Sequence, residues 1–462
     1  MRTFDLAVLG GGPGGYISAI RGAQIGEKVC IIDKDKLGGV CLNWGCIPTK
    51  SLLKNAEVYH TIKNSDSYGI NVGEITVDYK KNIKRSRDVA NRLSKGIEFL
   101  IKKNKITHII GTGKLTSNNT IEIVKDGETE TIKVKNIILA TGARPRSFPG
   151  LEYDGKRVIS SKEAMVLENL PKKMIIIGSG AIGCEFAFYF NEFGTEVHLI
   201  EAQENILPIE DIDVGKELKN SFESNGITVS TGTEVSKIEN MKTKVKVFTK
   251  KEGIGKNYQA DIALLAIGVK GNIENIGLED LNIKTNAGAI EINEFNQTNI
   301  PNIYAIGDVS GAPWLAHIAS AQGHVAVEHS VGYKPKPIDY NYIPSCTYCQ
   351  PQIGSFGYTE SDAIDAGYDV KIGKFSFNAS GKAMATGETI GFVKLVFDAK
   401  YGELLGAHII GSEATELIAE LCIAKALETT WEDIAMTVHA HPTLSEAIME
   451  AALDAFGKAI HQ

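Results

Sequence analysis

Residues 3–9, Thr-Phe-Asp-Leu-Ala-Val-Leu, form a short, mostly apolar run that stops at Gly10-Gly11-Gly12-Pro13-Gly14-Gly15. A stretch of helical character follows, from Tyr16 to about Gln24, and a second apolar run, 28–32, ends in Asp33. Short apolar runs between turn residues point to buried strands, and strand, helix, strand in this order predicts a βαβ opening. The pattern returns from about Lys172. An apolar run at 174–177 meets Gly178-Ser179-Gly180-Ala181-Ile182-Gly183, a helix runs to about Phe193, and a run at 196–200 ends in Glu201. Three further runs, 136–142, 263–268 and 302–308, each predict a buried strand with glycine at its carboxyl end, where such strands meet ligands. Past about Asn341 the character changes. Strand-like runs at 353–358, 390–396 and 404–410 precede helical stretches at roughly 413–428 and 444–456, an order that suggests an α+β domain.

Composition narrows the classes. With 43% hydrophobic and 23% charged residues the chain has an ordinary globular make-up, and 462 residues exceed one compact core, so two to four domains are expected. A net charge of −7 gives no basic footprint for nucleic acid, and no apolar run reaches membrane-spanning length. The first strand begins at the third residue, leaving no room for a signal or transit peptide. A cytoplasmic location is expected, or the mitochondrial matrix if a transit peptide has been removed. Seven cysteines are neither an even set nor a disulfide framework, so a close pair points to catalysis or metal. Glycine contributes 47 residues, about a tenth against the usual ~7%, so its positions carry information.

Each glycine cluster sits between a strand and a helix, with an acid roughly 20 residues on. Gly10, Gly12 and Gly15 in the first, and Gly178, Gly180 and Gly183 in the second, permit a tight turn and close approach of a pyrophosphate. The helix N-terminus then offers that anion free N–H groups and a favourable dipole. Asp33 and Glu201 can accept from a ribose diol. One such loop is a weak signal; two in one chain imply two dinucleotides. A carboxylate at Glu201 repels a 2′-phosphate, and Ala202-Gln203-Glu204-Asn205 holds no arginine to receive one, which favours NAD over NADP. The first loop is expected to hold the adenosine half of FAD, because thiol chemistry coupled to a nicotinamide needs a two-electron carrier. The expected fold is α/β, with two Rossmann-like dinucleotide-binding domains and a C-terminal α+β domain.

Cys41-Leu-Asn-Trp-Gly-Cys46-Ile-Pro-Thr-Lys50 is the most specific segment. Two cysteines lie five apart, and the second opens a helical run from Pro48 to about Thr61. A thiol at a helix N-terminus with lysine nearby is stabilised as thiolate at neutral pH, and Cys41 can form with it a disulfide that a substrate dithiol could open. Near the other end, His441 and Glu446 lie five apart at the head of the last helix. A carboxylate accepting one imidazole N–H fixes the tautomer and leaves the other nitrogen to take a thiol proton. On spacing alone, an ordinary surface histidine is the simpler reading. His439 ranks as support.

The segment Leu37-Gly-Gly-Val-Cys41-Leu-Asn-Trp-Gly-Cys46-Ile-Pro-Thr-Lys50 resembles the active disulfide of the pyridine nucleotide–disulfide oxidoreductases. The resemblance covers essentially the whole chain, through His439-Ala-His441-Pro-Thr-Leu-Ser-Glu446. Within that family, the Cys-Ile-Pro-x-Lys form and this tail are most similar to the members that oxidise dihydrolipoamide with NAD. The resemblance implies that Cys46 faces the flavin and that Cys41 exchanges with substrate. It implies a Lys50–Glu185 ion pair beside the flavin. FAD contacts would come from Gly113, Thr141, Gly142, Ala143, Asp308, Leu315, Ala316 and His317, and NAD contacts from Val235 and Gly268. His441 would reach the dithiol of the other subunit, which implies a homodimer. Implied partners are lipoyl domains of acyltransferases or glycine-cleavage H-type proteins. The domains then become 1–145 for FAD and the dithiol, 146–272 for NAD, 273–340 completing the FAD site, and 341–462 as the interface. A related NADH-dependent disulfide reductase or diaphorase of the same family is the alternative.

Departures from the family pattern are few. Cys346-Thr-Tyr-Cys349 stands where relatives usually have valine and threonine in place of the cysteines. With no second Cys-x-x-Cys or histidine cluster nearby, these are expected to be ordinary strand residues, and no metal is expected. Val269 and Gly271 replace a frequent arginine and proline, and Trp44 and Trp314 are also unusual. Glutathione reduction would want NADP and arginines after the second loop, which are absent.

Overall fold

The structure is a computed structural model that describes residues 1–461. Strand Arg2–Leu9 lies inside a parallel sheet, with Val29–Asp33 and then Thr107–Ile110 on one side and Glu128–Leu139 on the other. Phe4, Ala7 and Leu9 enter one core, Leu6 and Val8 the other. Burial on both faces is why this strand is nearly continuously apolar rather than alternating. Glu128–Leu139 feeds two ladders along its second edge. Its first half pairs antiparallel with Thr120–Lys125, which pairs with Thr112–Ser117, and its last three residues run parallel to Ile303–Ala305. The run expected at 302–308 thus shortens to three residues, because the chain turns at Gly307 (φ +69°) into a short 3₁₀ turn, Gly307–Ser310.

Residues 273–340 therefore add to the first sheet and build none of comparable size. Their helix Ala316–Ser330 packs on Pro13–Gln24, and glycine makes the approach close: a Cβ on Gly14 would sit 2.8 Å from Ala319 O. The second unit is a parallel sheet ordered Thr228–Ser230, Glu196–Ile200, Lys173–Ile177, Ile262–Leu265, Val158–Ile159. A three-stranded antiparallel sheet, 234–260, accompanies it. The chain enters and leaves this unit through one antiparallel pair, Ala143–Pro145 with Val269–Gly271, the mark of an insertion into the first domain.

The C-terminal unit is a five-stranded antiparallel sheet ordered Ser345–Thr347, Gln352–Gly357, Leu404–Gly411, Phe392–Asp398, Val370–Ser376. Helices Ala414–Ala426 and Glu446–Asp454 pack on it. Lys394, 2% exposed in its central region, joins it to the second unit by reaching Asp211 at 3.0 Å and Asp213 at 3.1 Å. Among the described residues no helix is long and apolar enough to cross a membrane.

Candidate active site

The two glycine loops share one internal geometry. A Cβ on Gly10 (φ +108°) would sit 2.0 Å from Ala140 O, and one on Gly178 (φ +95°) 2.4 Å from Ala266 O, so conformation and space both exclude a side chain. Gly15 and Gly183 are equally tight, each 1.9 Å from the carbonyl oxygen of the first glycine of its loop. The middle glycines differ. A Cβ on Gly12 meets nothing nearer than Gly39 Cα at 3.9 Å, and one on Gly180 meets nothing within 4 Å. Both are helix N-caps with extended backbone and no side-chain cap. Their bareness answers no need of the fold, and open space above free N–H groups fits a pyrophosphate. Asp33 accepts from Gly11 N at 2.5 Å and Asp35 N at 2.8 Å, while burial pushes its pKa up. Glu201 is buried and accepts from Ser179 N and Ser179 Oγ, both at 2.8 Å, and from Gln203 N at 2.9 Å.

Around the first loop, Gly113 backs onto Leu9 at the carboxyl end of its strand. Thr141 Oγ1 donates to Asn272 O at 2.8 Å, Gly142 O accepts from Asn272 N at 2.9 Å, and Ala143 is buried in the link to the inserted unit. Asp308 lies in the turn Gly307–Ser310 with its pKa raised by burial, and Leu315 precedes the helix that Ala316 opens. His317 is exposed, with Nε2 2.8 Å from Pro344 O. Around the second loop, Val235 packs on the cluster holding Ile177 and Ile200, the strand ends that lead into Gly178 and Glu201. Gly268 (φ +92°) has open space where a side chain would stand.

Cys41 lies in a short helix, Gly39–Trp44, and Cys46 is the first residue of the helix Cys46–Lys63. Gly45 between them, at φ −149° and ψ −117°, breaks one helix and starts the next. The longer helix thus begins two residues before Pro48, which its first turn tolerates because that N–H has no intrahelical partner. The thiols are free and hydrogen-bonded to each other. That bond, aided by the Lys50 charge and opposed by burial, holds Cys46 down to about 7. The same bond, with burial, pushes Cys41 far up. Cys46 is therefore the thiol that ionises first, and Cys41 the one that keeps its proton.

Lys50 Nζ reaches both oxygens of Glu185, at 2.8 and 3.0 Å, tying the dithiol helix to the helix Ala181–Glu192 of the inserted unit. Glu185 is 4% exposed, so the pair is desolvated on the acid's side and needs its further donor, Tyr348 N at 3.1 Å. The Tyr348 ring lies 4.3 Å from Lys50 Nζ. Sequence reasoning missed Tyr348, although it stands inside the Cys346–Cys349 segment singled out for its thiols. Cys349 is fully buried and Cys346 half-buried. Burial pushes Cys346 up to about 11 and Cys349 well above the usual thiol value. Neither is poised as a thiolate, and no group of three metal-binding side chains occurs among the described residues. Trp44, also unexplained by sequence, is flanked by two cations, Arg87 at 4.6 Å and Lys162 at 4.8 Å.

His441 stands apart. Its Nδ1 is 2.9 Å from Glu446 Oε1, and Glu446 Oε2 accepts from Thr443 N at 2.8 Å. That backbone donor, and then the imidazole, hold the Glu446 carboxyl below its usual range. The His441 side chain is 80% exposed, and among the described residues no hydrogen bond joins it to Cys41 or Cys46. The His439 side chain is its opposite, 5% exposed and held by Thr437 O at 2.8 Å and Glu420 at 2.7 Å.

Residues 4–323 match the family model for pyridine nucleotide-disulphide oxidoreductase, and residues 343–452 match that family's dimerisation domain. The chain is 47% identical to the dihydrolipoyl dehydrogenase of Zymomonas mobilis, covering 99% of both chains. It is 44% identical to that of Bacillus subtilis, again over 99% of each. Its fold superposes on the crystal structure of LpdA from Mycobacterium tuberculosis with a TM-score of 0.91 at 26% identity, over 98% of this chain and 99% of the other. Two dinucleotide loops, a thiol–thiolate pair between them and these full-length matches lead to one statement: the chain belongs to the pyridine nucleotide-disulphide oxidoreductases.

Proposed function

We propose that the chain oxidises dihydrolipoyl groups to the lipoyl disulfide, with FAD as its resident carrier and NAD as electron acceptor. The observation that carries this reading is the Cys41–Cys46 pair, hydrogen-bonded thiols of which Cys46 ionises far more readily, on two successive helices the first of which opens at Gly38-Gly39 against Gly11-Gly12. The open spaces at Gly12 and Gly180, each with its locked acid, fit two dinucleotides. Contacts to FAD are assigned to Gly10, Gly12, Gly15, Asp33, Lys50, Gly113, Thr141, Gly142, Ala143, Asp308, Leu315, Ala316 and His317, and contacts to NAD to Gly178, Gly180, Gly183, Glu201, Val235 and Gly268. When bound, FAD supplies the two-electron link between thiols and nicotinamide.

The chain's own residues carry the thiol chemistry. His441 Nε2, from the second subunit of the homodimer, takes the proton of one substrate thiol, and Glu446 holds the tautomer and stabilises the imidazolium. The substrate thiolate attacks Cys41 Sγ, the Cys41–Cys46 bond breaks, and Cys46 leaves as a thiolate stabilised by Lys50 and the helix N-terminus. The second substrate thiol gives its proton to Cys41 and attacks the mixed disulfide at the substrate sulfur. This closes the lipoyl ring and leaves two electrons on the dithiol. The physiological carriers of the dihydrolipoyl group are assigned as acyltransferase lipoyl domains or glycine-cleavage H-type proteins, and the location as cytoplasmic. The chain is divided into 1–145, 146–272, 273–340 and 341–462, and the pairing of Ile303–Ala305 with Glu128–Leu139 supports assigning 273–340 to the completion of the FAD site.

The test compares dihydrolipoamide and glutathione disulfide as substrates of the holoenzyme, each with NAD and NADP cofactors in the required redox state. Dihydrolipoamide with NAD should exceed every other combination in kcat/KM by at least ~100-fold, and Glu201→Ala should narrow the NAD preference. Comparable rates with NADP in the unmodified enzyme would refute the role of Glu201.

A further inference from the structure

The helix Tyr79–Lys103 carries nine lysines and arginines against two acids, Asp88 and Glu98, a net +7 in a chain of net −7. Setting those residues aside leaves 40 bases against 54 acids elsewhere, so positive charge is concentrated on one element. Its neutral face is accounted for: Ser86, Ala90, Ser94, Ile97 and Ile101 are buried. The opposite face is less expected. Phe99 is 64% exposed there, with Lys95 one turn before it, Lys102 and Lys103 one turn after, and Arg92 a further turn back. Arg92, Lys95, Lys102 and Lys103 are exposed and have no ion pair among the described residues, and a Cβ on Gly96 would meet nothing within 4 Å. An exposed aromatic anchor beside Glu98, among four unpaired cations, has the make-up of a recognition surface for an acidic protein.

Position says which protein. The helix packs chiefly on the dithiol helix Cys46–Lys63, on Gly39–Trp44 and on Pro13–Gln24, not on the dimerisation segment. Its N-terminal half touches the redox loop directly. Arg87 donates to Asn43 O at 2.6 Å, and Arg85 donates to Ser51 O at 3.1 Å. Phe99 lies twelve residues beyond Arg87, about 18 Å along the axis, within the footprint of one ordinary protein interface. A domain seated on this face would therefore stand beside the dithiol that its own thiols must reach. We infer that the exposed face of Tyr79–Lys103, centred on Phe99, docks the acidic domain that carries the dihydrolipoyl group. This rests on the substrate class proposed above and adds where and by what chemistry the carrier is recognised.

The test uses the full-length holoenzyme with two substrates, free dihydrolipoamide and an isolated, reduced lipoyl domain of an acyltransferase. The charge-reversed variant Arg92→Glu/Lys95→Glu/Lys103→Glu should lose at least tenfold in kcat/KM for the domain and stay within twofold for free dihydrolipoamide. Phe99→Ser should act in the same direction. Added salt should depress the domain reaction in the unmodified enzyme and leave the small substrate nearly untouched. Equal loss with both substrates would overturn the inference by making the helix a support of the dithiol, and so would no loss with either. Capture of the unmodified enzyme by phosphatidylglycerol vesicles, with domain rates unchanged in the variants, would assign the face to a membrane instead. Failure of unmodified enzyme to oxidise free dihydrolipoamide would sink the substrate class itself, a separate outcome.

Discussion

The thiol of Cys46 is held down to about 7 by a hydrogen bond from Cys41 and by the charge of Lys50. In FAD-free, reduced protein, iodoacetamide should therefore modify Cys46 with a midpoint near that value. The rate falls as pH drops through it, because the protonated thiol is a poor nucleophile. Lys50→Met and Cys41→Ala should each move the midpoint up toward the ordinary thiol value of about 8.5. Loading FAD should protect the thiol. A midpoint indifferent to both substitutions would detach Cys46 from its assigned neighbours. This site was legible in sequence because its chemistry is local: two thiols five apart, a helix start and a lysine one turn on. Tyr348 was not, since its contact with Lys50 joins residues nearly 300 positions apart, and no local pattern distinguishes it from any strand tyrosine.

Among elements, the glycine loops were legible because each glycine reports a backbone demand, yet sequence alone could not separate fold glycines from ligand glycines. Space does. Gly183 has a carbonyl oxygen 1.9 Å from where its Cβ would stand, whereas Gly180 has nothing within 4 Å and an ordinary extended backbone. Gly180→Ala should keep its flavin and its thermal midpoint but raise the dissociation constant for NAD by about tenfold, ~1.4 kcal/mol, as the methyl enters the pyrophosphate's space. Gly183→Ala should lower the midpoint itself, an overpacking cost of about 1–3 kcal/mol or more. Equal thermal losses in both would mean that Gly180 also serves the fold. Strand Val370–Ser376 escaped the sequence reading for a related reason. It is an edge strand whose burial alternates irregularly, and its partners come from residues 392–398, so no local apolar run announces it.

At the scale of the whole molecule, His441 is oriented but stands apart from the dithiol of its own chain. Glu446 orients its ring through Nδ1, the side chain is 80% exposed, and no hydrogen bond connects it to the thiols of its own chain. The surface near it in sequence is apolar and open, with Met436 80% and Val438 96% exposed, inside the segment that matches the family's dimerisation domain. An oriented histidine beside bare apolar surface supports the proposal that a second copy covers that surface and brings its own dithiol to His441. The spacing of His441 and Glu446 could not reveal this, because a partner's surface leaves no mark on local periodicity. Two inactive chains provide the test. His441→Gln lacks the base and Cys46→Ser lacks the thiolate, so each homodimer is broken at both sites. Dissociated, mixed and reassociated, they form hybrids in which one site has its intact dithiol from the first chain and its intact histidine from the second. Half of a random mixture is hybrid with one good site in two, so activity should return to about a quarter of the unmodified enzyme. Glu446→Gln should reduce turnover less than His441→Gln, because it orients and polarises without moving the proton. Well-mixed hybrids that stay inactive would place the base within the histidine's own chain or on another residue.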